Sequence, residues 1–580
     1  MARDRPSPYV VWVAKWRGGE LSTVPRQALA LRGVGSEMTG KGVDVKDKMH
    51  GLMMNCPLTI ARILEHAHRI HGDKQVTTWS SDALHRYTYA EFYRRVQRLA
   101  NVLIQRGVRP GDRVATYALN TYQHLELYYA IPCIRAVLHP LNVRLTASQL
   151  SAIVREAEDK LVFVDGRFAS PFGELEREIG CLPSIFFATE SDDYEALIAA
   201  AAEPAAWDIP DENTAMGLCY TSGTSGQPRG VLYTHRSMFL HTMAVNQADV
   251  FGLTEADVVL PLVPMFHAMA WGLPYASLFA GADLVLPGRA KPLHIANLIA
   301  ETGVTVAAGV PTVWGQVYPE LRKRAREIAS LRLIIVGGEA MPATLIEAYE
   351  KELGVEVRHA WGMTEMSPTG TLSTLRRAHQ HLSDAEKWQM KAMQGSPVPG
   401  VEIRLVGERN RDELPWDGET VGELQVRSPW TASRYYKTEP MLEHFTADGW
   451  LRTGDIATIN PEGYVQIVDR AKALIRSGGE SISSIALETA LMAHPQVLDA
   501  VVIGIPDERW GERPVAVVVC EQAAAAQLEA CLATQFPKFW IPDRFIFVDE
   551  LPKTSVGKSD KREIRKRVFQ RFLSWRKASG

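Results

Sequence analysis

The chain has 580 residues, with 64 Lys plus Arg against 67 Asp plus Glu, a formal net charge of -3 and 46% hydrophobic residues. That is about four domains' worth of length, enough to bury full-sized cores without disulfides or metals. The ordinary composition excludes a wholly disordered, collagen-like or coiled-coil chain, and the near-neutral balance leaves no global field for nucleic acid or an anionic membrane.

Residues 1–48 carry scattered basic residues and no periodic segment, and read as a loosely ordered extension. Tyr9–Ala14 is too short for a secretory apolar core. From Pro57 the chain becomes regular. Thr59 to Ile70 predicts a helix, and Val76–Trp79 with His85–Tyr87 a hairpin. Thr88 and Glu91 form a capping box for a helix with Phe92, Val96, Leu99 and Leu103 on one face, closed by Gly107. Strand-like runs then alternate with helices: Arg113–Ala118, Leu161–Val164, Ser184–Ala188, Ala215–Tyr220, Val231–Tyr233, Val258–Pro261, Leu284–Leu286, Val304–Ala307, Leu331–Val336 and Val355–His359. This predicts an α/β architecture with buried sheets. The apolar stretch Met269–Leu286 is broken by Gly272, Pro274, Gly281 and Asp283, so no transmembrane helix is expected.

Beyond Gly395 the texture shifts to the short strands Val401–Leu405, Gly422–Arg427 and Gly463–Val468, a small β-rich subdomain. A last module follows: helix Ile482–Met492, strands Val497–Ile503 and Val515–Val519, helix Ala524–Gln535 and strand Arg544–Val548. The expected division is an extension (1–48), a large domain (49–469) and a small mobile α+β domain (470–580). The six cysteines contain no CxxC pair, which speaks against a zinc or thioredoxin-like site and suits a reducing cytoplasm.

The most informative segment is Thr221–Gly230, TSGTSGQPRG, between two apolar strands. Its glycines let successive backbone N–H groups converge, and its hydroxyls add donors, a combination that wraps polyphosphate. It is not a Walker A loop: the only Gly-Lys-Ser is Gly557-Lys558-Ser559, with Pro552 where that motif needs its first Gly. GxGxxG and GxSxG are also missing, against dinucleotide-binding and α/β-hydrolase readings.

TSGTSGQPRG resembles the phosphate loop of the adenylate-forming superfamily, which contains acyl-CoA synthetases, adenylation domains and firefly-type luciferases. Further segments resemble that family's motifs in family order: Gly337-Gly338-Glu339-Ala340, Trp361-Gly362-Met363-Thr364-Glu365, Gly449–Asp455, Asp469-Arg470 with Lys472, Ser477-Gly478-Gly479-Glu480, and Pro552–Lys558. Pro264-Met265-Phe266-His267 with Trp271, and Lys538-Phe539-Trp540, most resemble the medium- and long-chain fatty acyl-CoA synthetase branch, which includes 3-methylthiopropionate ligases.

The resemblance implies ATP, Mg²⁺ and coenzyme A acting on a small-molecule carboxylic acid, a medium- or long-chain fatty acid, in a homodimeric cytoplasmic enzyme. It implies that Thr221, Ser222, Gly223, Thr224, Ser225, Gly226 and Arg229 hold the phosphates. Gly338, Glu339, Ala340, His359, Ala360, Trp361, Gly362 and Thr364 would line the nucleotide, Trp361 by stacking on adenine. Asp455 would take the ribose hydroxyls, with Arg470 and Lys472 nearby. Thr221 and Glu365 would ligate the metal. Lys558 would neutralise charge as the carboxylate attacks the α-phosphate, with Thr221, Glu365 and His267 as its catalytic partners. His267, Ala268, Trp271 and Gly338 would form the acyl wall and gate. Asp469 would be the hinge, and Ser477, Gly478, Gly479 and Glu480 the thioester face. Arg229 stands where the family has Lys, Ala473 where Asp is common, Arg476 where Lys is frequent and Ser481 where Trp or Asn is common. Three other readings compete: an adenylation domain serving a carrier protein, a luciferase-like oxygenase, and a non-catalytic acyl or ATP sensor. Intact Thr221, Glu365, Asp455 and Lys558 argue against the sensor.

Overall fold

Thr59 and Thr88 end extended segments with their backbone in the β region, and helices Ile60–Ile70 and Tyr89–Gln105 begin immediately after them. The Thr88–Glu91 capping box forms as the sequence predicts, and Gly107 follows in the left-handed region. The computed structural model describes residues 15–17, 20–22, 52–80, 83–180, 182–188, 193–202, 207–221, 228–288, 291–407, 412–439, 442–478, 480–507, 509–520, 525–554 and 558–578. The chain divides into Met1–Cys56 and Pro57–Gly580. The first unit contains a described hairpin, Lys15–Arg17 with Glu20–Ser22; most of the expected 1–48 extension lies outside the described residues. The second unit begins at Pro57, three residues before the helix Ile60–Ile70.

Within Pro57–Gly580 two large sheets carry the architecture, as the α/β reading expects. The first has six strands in the spatial order Gly230–Thr234, Ala215–Tyr220, Val137–Pro140, Arg113–Tyr117, Asp159–Asp165, Ser184–Phe187. All pairings are parallel except that of Gly230–Thr234. The second has nine strands: Ser396–Pro397, Thr369–Ser373, Glu356–Gly362, Leu333–Gly337, Val306–Gly309, Val258–Pro261, Asp283–Leu286, Gln75–Ser80, Ala83–Thr88. Its centre, from Glu356–Gly362 to Gln75–Ser80, is parallel. Strands Arg113–Tyr117 and Leu333–Gly337 are buried almost end to end, as sheets covered on both faces require.

Two antiparallel assemblies follow. Glu402–Val406, Gly422–Arg427, Leu451–Ile459 and Val465–Arg470 form a four-stranded sheet that sets Asp455 opposite Arg470. The C-terminal sheet joins Glu480–Ile482, Ile475–Ser477, Gly511–Cys520, Val497–Asp507 and Arg544–Phe547. Its faces bury separate clusters, one with Leu487 and Leu528, the other with Ile564 and Val568 of the last helix, Lys561–Ala578.

Sequence periodicity missed several elements. Val137–Pro140 is only four residues long and continues the apolar run of helix Tyr122–Cys133, so no change of period marks it. Ile482 belongs to a strand rather than to the expected helix, which starts at Ser484 with Ser483 as its cap.

Candidate active site

In open parallel sheets, ligands bind beyond the carboxyl ends of the strands, and both large sheets direct their motif residues there. Thr221 directly follows Ala215–Tyr220, Gly338 and Glu339 follow Leu333–Gly337, and Thr364 and Glu365 follow Glu356–Gly362. His267 lies six residues beyond Val258–Pro261 in a loop clamped from the first sheet. Asn120, which is buried, donates to Pro261 O (2.9 Å) and Val263 O (2.8 Å) and accepts from Met265 N–H (2.8 Å). Sequence reasoning passed over Asn120, since a lone Asn after a strand reads as a turn residue.

The Thr221–Gly230 loop is closed at its base: Thr221 N–H donates to Arg229 O (2.9 Å), and Arg229 N–H to Thr221 Oγ1 (3.3 Å). Ser222, Gly223, Thr224, Ser225 and Gly226 lie outside the described residues, as does Gly479. The Arg229 guanidinium lies 5.1 Å from the centre of the Tyr435 ring, and the Tyr435 hydroxyl donates to Glu365 Oε1 (2.7 Å). Tyr233 OH donates to Thr364 O (2.6 Å), fixing the strand end that presents Glu365. Burial raises the Glu365 carboxyl above its usual range, while Tyr435 and the nearby Arg470 and Arg229 oppose the rise. A buried acid with one oxygen engaged fits a hard cation at the other. Among the described residues no group of three or more His, Cys, Asp or Glu could hold a metal ion, so such a cation would draw most of its oxygen ligands from phosphate and water, as Mg²⁺ does.

Asp455 is buried, and both carboxylate oxygens already have protein partners: Oδ2 accepts from Trp361 Nε1 (2.9 Å), and Oδ1 pairs with Arg470 Nε (2.5 Å). Each oxygen keeps a second lone pair for a further donor. The Trp361 ring packs on Gly370, where an added Cβ would come within 2.7 Å of it. His359 is buried, with its ring nitrogens at Ala392 O (2.9 Å) and Glu339 O (3.0 Å); its side chain therefore supports the Glu339 loop from beneath. Lys472 is exposed.

Lys558 reaches this centre from the far end of the chain. A Cβ on Gly338, whose φ is +90°, would lie 3.4 Å from Lys558 Cε, so the lysine stem rests on that glycine. Burial lowers the ammonium's pKa, with Glu339 and Asp455 opposing the fall and Arg470 adding to it. Thr554 N–H donates to Lys558 O (2.6 Å), and Lys553 Nζ to Ser559 Oγ (2.9 Å), which ties the ends of the lysine loop together. Burial first, then the Lys558 and Arg144 charges, holds His267 neutral with a pKa of about 3. Arg144, in the loop after Val137–Pro140, is a second cation near His267 that the sequence reading did not single out. A small cavity lies between Thr221 and His267, also lined by Phe266, Tyr220 and His139.

Beyond His267 the backbone makes a left-handed turn: Ala268, Met269, Ala270 and Trp271 have φ of 42°, 52°, 49° and 56°. Such a turn costs L-residues about 1–2 kcal/mol each. It turns the Trp271 ring toward Gly337, where an added Cβ would lie 3.2 Å from the ring's edge. Asp469 is fully buried at the end of Val465–Arg470. Ser477 and Gly478 keep to the C-terminal sheet: Arg513 Nη1 donates to Ser477 Oγ (3.2 Å), and Gly478 packs on Trp510. Glu480 is exposed on the neighbouring strand.

The chain matches the AMP-binding enzyme family over residues 64–436 and the AMP-binding enzyme C-terminal domain over residues 486–558. It is 42% identical to a long-chain-fatty-acid–CoA ligase of Thermus thermophilus, over 88% of this chain and 96% of that one. It is 39% identical to a 3-methylmercaptopropionyl-CoA ligase of Ruegeria lacuscaerulensis, over 89% of this chain and 98% of that one. A medium-chain-fatty-acid–CoA ligase of Ectopseudomonas oleovorans is also 39% identical, over 90% and 97%. Among solved structures, ATP-bound MatB from Rhodopseudomonas palustris superposes with a TM-score of 0.77 at 27% identity, covering 88% of this chain and 99% of that one. O-succinylbenzoate coenzyme A synthetase from Bacillus subtilis, in complex with ATP and magnesium ion, gives 0.74 at 25% identity, covering 87% and 99%.

Proposed function

This chain belongs to the AMP-binding enzyme family and is an AMP-forming acid–CoA ligase, and we propose that its acid is a medium- or long-chain fatty acid. Two of the relatives above are fatty-acid–CoA ligases, and the wall beyond His267 is formed by buried apolar residues, Ala268, Met269 and Trp271. The 3-methylmercaptopropionyl-CoA ligase at similar identity keeps a short thioether acid as the second reading.

The reaction runs in two steps. A carboxylate oxygen attacks the α-phosphorus of ATP, forming acyl-adenylate as pyrophosphate leaves. The thiol of coenzyme A then gives up its proton, its sulfur attacks the acyl carbonyl, and AMP leaves. In this reading Lys558 neutralises charge developing on the α-phosphate and carboxylate oxygens. The observation that carries it is the Lys558 side chain lying against Gly338, where the Glu339 and Asp455 carboxylates both act on its charge. Asp455 receives the ribose hydroxyls; Trp361, already bonded to Asp455, borders that site through its indole edge. Thr221, Arg229 and the intervening loop hold the phosphates. Glu365 and Thr221 would hold Mg²⁺, which supplies charge neutralisation on the phosphates when bound. His267 and Trp271 border the acid. Asp469 is the hinge of a C-terminal domain over 470–580 that presents Ser477–Glu480 to coenzyme A in the second step. A homodimer in the cytoplasm completes the proposal.

The test is AMP and acyl-CoA formation with ATP, Mg²⁺ and CoA across acids from acetate to palmitate plus 3-methylthiopropionate. Highest kcat/KM between octanoate and palmitate is the expected result. A maximum at 3-methylthiopropionate would select the second reading, and AMP release without thioester would reject coenzyme A as the acceptor.

His267 makes a separate prediction. With a pKa of about 3 it stays neutral from pH 5 to 8 and cannot act there as a proton acid. The pH profile of adenylate formation should therefore carry no limb from His267 in that range. His267→Ala should raise KM for the acid more than it lowers kcat, as loss of a binding wall does. A wild-type inflection near pH 6.5 that disappears in His267→Ala would refute this.

A further inference from the structure

Three residues beyond Lys558, the side chain of Lys561 points away from the nucleotide site and into a polar relay that ends at Asp469. The buried Asp469 carboxylate accepts from Ser484 N–H (2.7 Å) and Ser484 Oγ (2.6 Å) through Oδ2, and from Arg470 N–H (2.7 Å) through Oδ1. Ser484 is the first residue of helix Ser484–Met492 and is itself fully buried. Its hydroxyl oxygen accepts from Lys561 Nζ (2.7 Å). With one lone pair occupied by the ammonium, the Ser484 proton is free to point at Asp469. Lys561 Nζ also pairs with Glu488 (2.8 Å), one turn along the same helix, and Glu488 Oε1 accepts from Val502 N–H (2.7 Å). The ammonium therefore serves two buried carboxylates. Burial lifts Glu488 to about 7, and Asp469 adds to that rise while Lys561 opposes it.

The geometry of a hinge gives this relay a direction. Ser483 Oγ donates to Val468 O on the upstream side of Asp469, while Ser484 holds the carboxylate on the downstream side. Rotation about φ of Asp469 carries Ser483 away from Val468 O. Rotation about ψ carries Ser484 away from the Asp469 carboxylate. Those are the only two soft torsions at the residue, so any turn at Asp469 breaks at least one contact. The pair therefore belongs to the orientation observed, in which Lys558 rests on Gly338. Helix Lys561–Ala578 carries Lys561 at its first position, so the relay anchors the base of the Lys558 loop at the same time.

We propose that Lys561 is a positioning residue that ties the Asp469 carboxylate, through Ser484, to the helix behind the Lys558 loop, and thereby favours the orientation in which the adenylate forms. This rests on the reading of Asp469 as hinge and Lys558 as catalytic residue. It separates the two half-reactions: adenylate formation needs the tied orientation, and thioester formation needs it released.

The test measures each half-reaction in the full-length enzyme. Adenylate formation is followed as pyrophosphate release from octanoate and ATP without CoA, and thioester formation from synthetic octanoyl-adenylate and CoA. Lys561→Met should slow the first about tenfold, the fold-change carried by one charge-assisted hydrogen bond, and leave the second within about twofold. Lys561→Arg, which keeps charge and donors, should stay nearer the wild type in both. Ser484→Ala should reproduce the split without changing charge, and it decides the matter if Lys561→Met fails to fold. An equal fall in both half-reactions, or no change in either, overturns the proposal. Lys558→Ala run alongside separates the two levels: if it leaves adenylate formation intact, the site assignment has failed; if it abolishes adenylate formation while Lys561→Met and Ser484→Ala change neither step, only the relay has failed.

Discussion

Lys558→Ala should lower the rate of adenylate formation by about 10²–10³-fold, the usual loss when one preorganised electrostatic donor is removed from a water-excluded site. The side chain lies on Gly338 within the electrostatic reach of Glu339, Asp455 and Arg470, and no other described lysine on the same loop is placed to substitute: Lys553 is bound to Asp499 and Ser559. Thioester formation from supplied acyl-adenylate should be nearly unaffected, because the attack on the α-phosphate that Lys558 is proposed to assist is already complete. The wild-type pH profile gives the same group a second signature. Burial lowers the Lys558 pKa below the ordinary 10.5. The ammonium is therefore present at low pH and lost as pH rises through the lowered pKa, and adenylate formation should fall on an alkaline limb below 10.5. Pyrophosphate release in Lys558→Ala at the wild-type rate would sink the assignment; a wild-type profile flat up to pH 10.5 would sink its electrostatic basis.

The second large effect is expected at Asp455. Asp455→Ala removes the proposed ribose acceptor and also leaves Trp361 Nε1–H and Arg470 without their carboxylate partner. Arg470 is 45% exposed, so the cost comes chiefly from the buried Trp361 hydrogen bond and from the charged acceptor lost to the ribose, about 1.5–3 kcal/mol for each such bond. The loss should appear in two places, as a dissociation constant for AMP raised at least about thirtyfold and as a lower melting temperature of the ligand-free protein. Asp455→Asn separates the two. Its side-chain oxygen can still accept from Trp361, so the melting temperature should recover toward wild type while AMP binding stays weakened by the lost charge. Calorimetric titration with AMP and thermal unfolding of both variants are the measurements. Unchanged AMP affinity in Asp455→Ala would remove this residue from the nucleotide site.

Both predictions depend on residues more than 90 positions apart meeting at the carboxyl edge of two sheets. The strand-to-loop order explains why Thr221, Gly338 and Glu365 meet, since each directly follows a sheet strand. It does not explain how Lys558 and Asp455 arrive. They are delivered by the four-stranded sheet that pairs Asp455 with Arg470 and by a loop closed through Lys553 and Ser559. The strained turn Ala268–Trp271 belongs to the same class of feature. Its sequence, Ala-Met-Ala-Trp, has no glycine or asparagine to announce four left-handed residues.

By itself the sequence determined what depends on short windows: the Thr88 capping box, the alternation of buried strands and helices, and the chemistry of the motif residues. Local hydrogen bonding and side-chain type are complete within a few positions, so they can be read there. Only the tertiary structure decided the rest. Asn120 clamps a loop across 145 residues of chain, Trp361 spends its indole N–H on Asp455, His359 supports a loop from beneath, and Lys561 donates into the Asp469 relay. In each case one polar side chain had several chemically equivalent partners available, and packing chose among them because a buried donor or acceptor must be satisfied by whatever group the fold brings within reach.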